Sequence, residues 1–207
     1  MTRNPNTEEE FARADEKSRK RKAARDRMLA NKTVEKGLLI VHTGKGKGKS
    51  TAAFGLVTRA IGNGMKVGVV QFVKGKWETG ERCVLEQFPD QVVIRTMGEG
   101  FTWETQDKAR DIAAAEKAWA ASKEMIADPS YDLVVLDELN IVLRYNYLNL
   151  DEVLSALAAR REMLHVVVTG RNAKPELIEA ADLVTEMTQI KHPFREQNVR
   201  AQKGIEF

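Results

Sequence analysis

Short runs of apolar residues recur along the chain from residue 37 onward, and each run is three to six residues long. Runs this short and nearly continuous are typical of strands buried on both faces of a parallel sheet. Six strands are predicted on this basis, over residues 38–41, 67–72, 92–94, 133–136, 165–168 and 183–187.

Longer stretches with apolar residues at helical spacing separate these runs. Residues 49–61 place their apolar positions on one broad face, and a Gly-Asn-Gly turn follows. The other predicted helices cover residues 81–87, 104–127, 150–159 and 175–181, whereas residues 191–207 show no clear periodicity. The alternation predicts an α/β fold, with a mostly parallel sheet, helices on both faces and ligands at the carboxyl ends of the strands.

Residues 1–36 differ from the rest because they are rich in Ala, Glu, Lys and Arg and contain few large apolar side chains. They carry 11 Lys and Arg against 7 Asp and Glu, whereas residues 37–207 carry 22 against 23. The body is therefore nearly neutral, and we expect no nucleic-acid partner for it. We predict a basic helical extension at 1–36, either a solvated, partly disordered tail or a lid over a ligand, and a catalytic domain at 37–207.

Composition excludes some chemistry. The single cysteine, Cys83, excludes an internal disulfide and a cysteine-rich metal site. No apolar run approaches the roughly 20 residues of a membrane helix, so a cytoplasmic enzyme or binding protein without a membrane partner is predicted. His42, His165 and His192 show no catalytic-triad pattern, and the first two are expected to pack in the core.

A glycine-rich loop, Thr-Gly-Lys-Gly-Lys-Gly-Lys-Ser-Thr at residues 43–51, lies between the first predicted strand and the first helix. Its glycines allow backbone N–H groups to turn toward an anion, and the helix N-terminus points at the same place. Lys49 is placed to reach phosphates and Ser50 to bind Mg²⁺, which predicts a P-loop NTPase-like fold. The usual pattern has Gly where this chain has Thr43, and the alternative is a flexible Gly/Lys linker. Lys45 and Lys47 either strengthen the positive field or are simply solvated.

Two carboxylates, Asp137 and Glu138, end the fourth predicted strand. In P-loop proteins an acid at this place holds Mg²⁺ directly or through water. One acid alone could cap a helix instead. Two acids in a chain with a phosphate loop favour a metal role for at least one of them.

The reaction class is not fixed by a phosphate loop. Phosphoryl transfer or ATP hydrolysis is the usual chemistry. A kinase would need arginines in a mobile lid, and the candidates are Arg144, Arg171 and Arg195, which form no compact group in the sequence. Phe101 and Trp103 lie in a glycine-rich stretch after the third strand. They either pack beneath a loop or offer an apolar surface to a large flat ligand.

Seven motifs carry a family resemblance: TGKGKGKST at 43–51, VGVVQF at 67–72, GER at 80–82, GFTW at 100–103, LDEL at 136–139, VTGR at 168–171 and KHPF at 191–194. In this order they resemble the P-loop-type ATP:corrinoid adenosyltransferases, over roughly residues 37–207. Thr43 is the family's own form of the loop. Lys45 stands where Asn is usual, and Ser50 stands where Thr is usual but keeps the hydroxyl.

The resemblance implies a RecA-like sheet and an unusual use of ATP. The family transfers the 5′-deoxyadenosyl group of ATP to Co(I) of a corrinoid and releases tripolyphosphate, in adenosylcobalamin biosynthesis or salvage. It also implies Mg²⁺ or Mn²⁺, a homodimer in which the N-terminal helix helps close a site, and a flavoprotein reductant such as flavodoxin. Phe101 and Trp103 would help hold the corrinoid without its lower axial ligand, because four-coordinate Co(II) is easier to reduce.

The resemblance assigns Lys49, Phe101 and Trp103 to catalysis, and Ser50, Glu138 (first choice) and Asp137 to the metal. The ATP contacts it implies are Gly44, Lys45, Gly46, Lys47, Gly48, Lys49, Ser50, Thr51 and Arg59. Arg59 could equally be a solvated helix residue. Two other hypotheses stay open: a small P-loop phosphotransferase or ATPase, and a nucleotide-binding regulatory module whose basic N-terminus binds a partner.

Overall fold

The computed structural model describes residues 8–73, 80–97 and 107–205. The chain divides into two compact units, the first ending at Glu35 and the second beginning at Lys36. The first unit contains helix α1, Glu8–Ala30, whose side chains from residue 9 onward are exposed. Strong helix formers and ion pairs at i,i+4 spacing, such as Lys20 with Glu16 at 2.6 Å, favour this helix without a packed face.

The second unit alternates strands and helices along the described chain. Its strands are β1 (Leu39–Thr43), β2 (Val67–Gln71), β3 (Val92–Thr96), β4 (Leu133–Asp137), β5 (His165–Thr169) and β6 (Leu183–Glu186). Its helices are α2 (Lys49–Gly62), α3 (Gly80–Leu85), α4 (Lys108–Ala127), α5 (Leu139–Arg144), α6 (Leu150–Ala158), α7 (Pro175–Ala180) and α8 (Pro193–Gln197).

The six strands form one sheet in the order β3-β2-β4-β5-β1-β6, and every neighbouring pair is parallel. The register places Gln71 of β2 beside Thr96 of β3 on one side and beside Asp137 of β4 on the other. Because all the strands run the same way, their carboxyl ends lie along one edge of the sheet, which we call the carboxyl edge. The opposite edge is the amino edge.

Apolar side chains cover both faces of the sheet. Val134 and Leu136 face a core built with α4, α5, α6 and α7. Leu133 and Val135, which alternate with them, face a second core built with α2 and α3. This period of two explains why the strands are apolar throughout, since each residue is buried on one face or the other.

The predicted fold class and all six predicted strands are confirmed, with boundaries that differ by a few residues. Two short helices were not predicted. Helix α5 follows β4 after a single residue, Glu138, and α8 lies in the segment that shows no periodicity. The first residues of the helix predicted at 104–127 lie outside the described residues. Among the described residues, none of the helices is both long and apolar enough to cross a membrane.

Candidate active site

The glycine-rich loop lies at the carboxyl edge, between β1 and α2. Gly44 has φ 96° and Gly48 has φ 103°, both in the left-handed region that side chains other than glycine rarely adopt. A Cβ atom on Gly44 would also lie 2.4 Å from the backbone oxygen of Met187. The loop therefore needs glycine at position 44 for two reasons, its backbone conformation and the close approach of another segment.

Met187, the residue just after β6, makes two backbone hydrogen bonds to the loop. The N–H of Gly46 donates to the Met187 carbonyl at 2.7 Å, and the N–H of Met187 donates to the Thr43 carbonyl at 2.9 Å. The Thr43 hydroxyl accepts a hydrogen bond from the N–H of Ala173 at 3.0 Å. Thr43 is the last residue of β1, and its hydroxyl links the loop to the segment after β5. Glycine has no hydroxyl and could not make this link, which gives a physical reason for threonine where the usual pattern has glycine.

Lys49 is the first residue of α2 and is only 6% exposed. Its ammonium group donates to the Gly46 carbonyl at 2.5 Å, so the side chain folds back over the loop. Burial lowers the pKa of Lys49, the Glu138 carboxylate opposes that shift, and the positive charge of Arg171 adds to it. Lys49 therefore lies within electrostatic range of an acid from the end of β4 and a cation from the end of β5.

Ser50 contacts Asp137, which is fully buried. The Ser50 hydroxyl donates to Asp137 Oδ1 at 2.7 Å, and the Thr169 hydroxyl donates to the same oxygen at 2.8 Å. The N–H of Glu138 in turn donates to the Thr169 hydroxyl at 2.9 Å. Residues from α2, β4 and β5 are therefore joined at the carboxyl edge.

Glu138 leaves the strand in a left-handed conformation, with φ 65°. Its Oε2 atom is buried, 3.1 Å from where a Cβ on Gly170 would stand. The structure therefore directs the two neighbouring acids differently, with Asp137 at Ser50 and Glu138 within electrostatic reach of Lys49.

The donor set fits Mg²⁺ or Mn²⁺. Ser50, Asp137 and Glu138 offer only oxygen atoms, which is the donor type that these ions take, and Mg²⁺ usually needs few protein ligands because it keeps waters and phosphate oxygens. Within residues 8–73, 80–97 and 107–205, no group of three or more His, Cys, Asp or Glu side chains could hold a metal ion by itself. The site therefore suits an ion that arrives with a polyphosphate.

The other loop residues assigned to ATP lie at the same place. Lys45 and Lys47 are exposed, as is Thr51 in the first turn of α2. A cavity of about 510 Å³ adjoins the loop, and Lys45, Asn172, Glu186 and Arg195 are among its lining residues. Arg195, one of three arginines considered for a lid, thus lies beside the loop, whereas Arg144 lies over the ring of its neighbour Tyr145.

Arg59 is not brought to the loop. It lies in the last turn of α2, ten residues and about 15 Å along the helix from Lys49. It lines a separate, apolar pocket with Leu38 and His165, which lie at the starts of β1 and β5 and hence at the amino edge. The structure thus places Arg59 away from the loop residues, and its contact with ATP stays a prediction. Phe101 and Trp103 lie outside the described residues.

The histidines and the cysteine stay apart from this chemistry. His42 is buried, with Nδ1 3.4 Å from the Lys49 carbonyl, and the half-buried His165 accepts a hydrogen bond from the N–H of Leu38 at 3.1 Å. The backbone N–H of His192 donates to Glu196 at 2.8 Å, and Cys83 is exposed on α3.

Three contributors to the site were not predicted: Met187, Thr169 and Gln71. Met187 acts through its backbone, so its side chain gives no signal. Thr169 and Gln71 each end an apolar strand with a polar side chain, as Asp137 does. That shared position was the available sequence signal for both.

Comparisons with known proteins agree with the motifs. The family model described as ATP:corrinoid adenosyltransferase BtuR/CobO/CobP matches residues 35–207. The corrinoid adenosyltransferase of Pseudomonas aeruginosa is 55% identical over 199 residues, covering 96% of this chain and 98% of that protein. That of Sinorhizobium sp. is 57% identical over 202 residues, covering 97% and 94%. Corrinoid adenosyltransferase CobA of Salmonella typhimurium is 47% identical over 195 residues, covering 94% and 98%.

Solved structures with similar folds are more distant. The flagellar accessory protein FlaH from Methanocaldococcus jannaschii has a TM-score of 0.48 at 11% identity, covering 75% of this chain and 73% of that one. The RadB recombinase has a TM-score of 0.45 at 17% identity, covering 77% and 78%. The family assignment rests instead on the sequence matches, which confirm the resemblance seen in the motifs: this chain is a transferase that belongs to the ATP:corrinoid adenosyltransferase family.

Proposed function

We propose that this chain transfers the 5′-deoxyadenosyl group of ATP to Co(I) of a corrinoid. The cobalt lone pair attacks C5′ of the ribose, a Co–C bond forms, the C5′–O bond breaks, and its electrons leave with tripolyphosphate. The observation that carries the proposal is the hydrogen bond from Ser50 of the phosphate loop to Asp137 at the end of β4, in a chain of this family.

The loop suits a triphosphate that must depart as an anion. Lys49 and the N–H groups at the start of α2 supply positive potential where negative charge develops on the leaving group. Lys45 and Lys47 add charge at the exposed rim. The Gly46 carbonyl already holds Lys49 over the loop, so little reorganisation is needed when phosphate oxygens replace that carbonyl as its partner.

The metal assignment is also a proposal. Ser50 would hold Mg²⁺ or Mn²⁺, with Asp137 orienting the hydroxyl and Glu138 close behind as a second acid. The bound ion would neutralise charge on the triphosphate and make it a better leaving group. Sequence favours Glu138 as the principal acid, whereas the hydrogen bond to Ser50 favours Asp137, so we place Asp137 first.

The corrinoid side of the reaction rests on the family resemblance alone. Phe101 and Trp103 would hold the macrocycle without its lower axial ligand, a flavoprotein such as flavodoxin would supply electrons, and a homodimer would close the site. A cytoplasmic location is proposed from composition, since the chain has one cysteine and ordinary polarity. The basic segment at 1–36 is proposed as an extension of the catalytic domain.

Product analysis tests the reaction. The protein is mixed with MgATP and a chemically reduced corrinoid, and phosphorus NMR identifies the products while visible spectra follow the cobalt. We expect tripolyphosphate together with a light-labile alkylcobalt spectrum. ADP or orthophosphate instead would support the phosphotransferase or ATPase hypothesis, and ATP binding without turnover would support the regulatory module. Lys49→Ala is the control for products that arise without the site.

A further inference from the structure

A row of hydrogen bonds crosses the carboxyl edge from α3 to the phosphate loop. Arg82 Nη1 donates to the Thr96 hydroxyl at 3.1 Å, and that hydroxyl donates to Gln71 Oε1 at 3.0 Å. Gln71 Nε2 then donates to Asp137 Oδ2 at 3.3 Å, while Ser50 donates to the other oxygen. We call the series Arg82, Thr96, Gln71 and Asp137 the carboxyl-edge relay.

The relay follows from the register of the sheet. Thr96, Gln71 and Asp137 occupy the same level on three adjacent parallel strands, β3, β2 and β4. Side chains at one level of neighbouring strands point to the same face about 4.8 Å apart, so polar side chains there lie within reach of one another. The face is the one covered by α2 and α3, the helices that carry Ser50 and Arg82.

Arg82, at one end of the relay, fixes which atom donates in each of its hydrogen bonds. An arginine side chain can only donate, so the Thr96 oxygen accepts from Arg82 and its proton is directed to Gln71 Oε1. This leaves the amide nitrogen of Gln71 to face Asp137. Arg82 is itself held by Glu86, whose Oε1 accepts from Arg82 Nε at 2.6 Å.

Glutamine is well matched to this position. Gln71 is only 6% exposed and ends an otherwise apolar strand, so its amide needs partners to offset the cost of burial. It must accept from Thr96 and donate to Asp137 at once. An apolar residue could do neither, and a glutamate would place a second carboxylate against Asp137.

We propose that Gln71 is a positioning residue for metal-dependent nucleotide binding, because it fixes the Asp137 carboxylate so that Oδ1 holds the Ser50 hydroxyl. Thr169 shares Oδ1 with Ser50, whereas Gln71 donates to Oδ2, so the loss of the Gln71 contact removes the described hydrogen bond that sets the other side of the carboxylate and weakens the orientation of Ser50. The inference rests on the proposed metal role of Ser50 and Asp137. It does not depend on which bond of ATP is broken.

The test compares Gln71→Met with Gln91→Met. Gln91 is a half-buried glutamine at the amino edge that donates to the Ile61 carbonyl at 3.1 Å. Gln91→Met therefore makes the same substitution at the opposite edge of the sheet from the relay. ATP affinity is measured by calorimetry without corrinoid, over a series of Mg²⁺ concentrations and in EDTA. Because no corrinoid is present, failure of adenosyl transfer cannot be confused with failure of the relay.

For Gln71→Met we expect the Mg²⁺ concentration at half-maximal ATP binding to rise about tenfold, the usual effect of losing a partner of a metal-site residue. ATP affinity in EDTA should stay within about twofold of the wild type, since Lys49 and the loop are untouched. Gln91→Met should change neither value. Equal weakening with and without Mg²⁺, no change at all, or the same shift in Gln91→Met would overturn the proposal.

Thr96→Val provides a second arm if Gln71→Met does not fold. Removing one hydroxyl frees the Gln71 amide to turn, and we expect a rise of about threefold in the Mg²⁺ requirement, because one neutral hydrogen bond is lost. Where Gln71→Met does fold, adding Thr96→Val to it should change nothing further, since both act through Asp137. Additive effects, or a Thr96→Val protein with wild-type Mg²⁺ dependence, would contradict the relay.

Discussion

The two edges of the sheet each hold an aspartate, and different donors surround the two carboxylates. At the carboxyl edge, the hydrogen bonds described for Asp137 come from neutral groups of Ser50, Thr169 and Gln71. At the amino edge, Asp182 accepts from the ammonium group of Lys36, from Arg160 Nη2 at 3.3 Å and from the N–H of Leu39 at 2.9 Å.

The donors indicate different tasks for the two acids. Cations from two distant segments hold Asp182 where the chain enters β1 and β6, which is a structural role. The hydrogen bonds from Ser50, Thr169 and Gln71 orient Asp137 beside a phosphate loop, which suits the partner of a metal ligand. The comparison therefore predicts that changes at the carboxyl edge alter nucleotide chemistry, while changes at the amino edge alter folding.

The largest effect is expected from Lys49→Ala. The triphosphate loses a buried cation in the site where its charge develops, and losing one such donor lowers turnover by about 10²–10³-fold. Adenosyl transfer is measured from the alkylcobalt spectrum at saturating ATP. Lys66→Ala is the control, because Lys66 donates to Ser130 and lies over the Tyr131 ring at the amino edge. Near wild-type turnover in Lys49→Ala would contradict the proposal that Lys49 stabilises the charge on the departing triphosphate.

The next effect separates the two aspartates directly. Asp137→Asn keeps the shape but removes the charge, and we expect the Mg²⁺ requirement for ATP binding to rise about 10–100-fold. Asp182→Asn is the matched change at the amino edge and should leave that requirement unaltered. ATP binding is titrated with Mg²⁺ for both proteins. A similar Mg²⁺ dependence in the two variants would remove the distinction between the edges.

Sequence reasoning predicted the parts of the site that are local in the chain. The phosphate loop lies between a strand and a helix, and apolar strands mark their own ends, so Lys49, Ser50, Asp137 and Glu138 could be found. It did not predict which acid meets Ser50, because that depends on the left-handed backbone at Glu138.

Contacts between distant segments gave no local signal. Gln71 and Asp137 are 66 residues apart, and only the strand order places β2 beside β4. The two backbone hydrogen bonds between Met187 and the loop likewise depend on β6 lying next to β1. Helix α5 was missed because its six residues are largely apolar and follow β4 after only one residue, Glu138.

Stability should respond at the amino edge. Asp182→Asn removes a charged acceptor from Lys36 and Arg160, and we expect a loss of about 1–3 kcal/mol in the free energy of unfolding. Urea denaturation measures this, and turnover per folded molecule should stay at the wild-type value. An Asp182→Asn protein that is fully stable but poor in turnover would reverse the roles that we assign to the two edges.

The smallest effect is expected in how the difference in unfolding free energy between wild type and Asp182→Asn depends on pH. The hydrogen bond from Lys36 is the main cause that lowers the pKa of Asp182 below its ordinary value of 3.8, followed by the N–H of Leu39, while burial opposes them. A carboxyl whose pKa is lower in the folded protein stabilises it fully above the unfolded pKa, and this contribution is lost as pH falls through the folded pKa. The stability gap between wild type and Asp182→Asn should therefore be constant from pH 7 to about 5 and shrink below about pH 4. Urea denaturation of both proteins at pH 7, 5 and 3 measures the gap, and a gap that widens toward pH 3 would contradict the ion-paired state of Asp182.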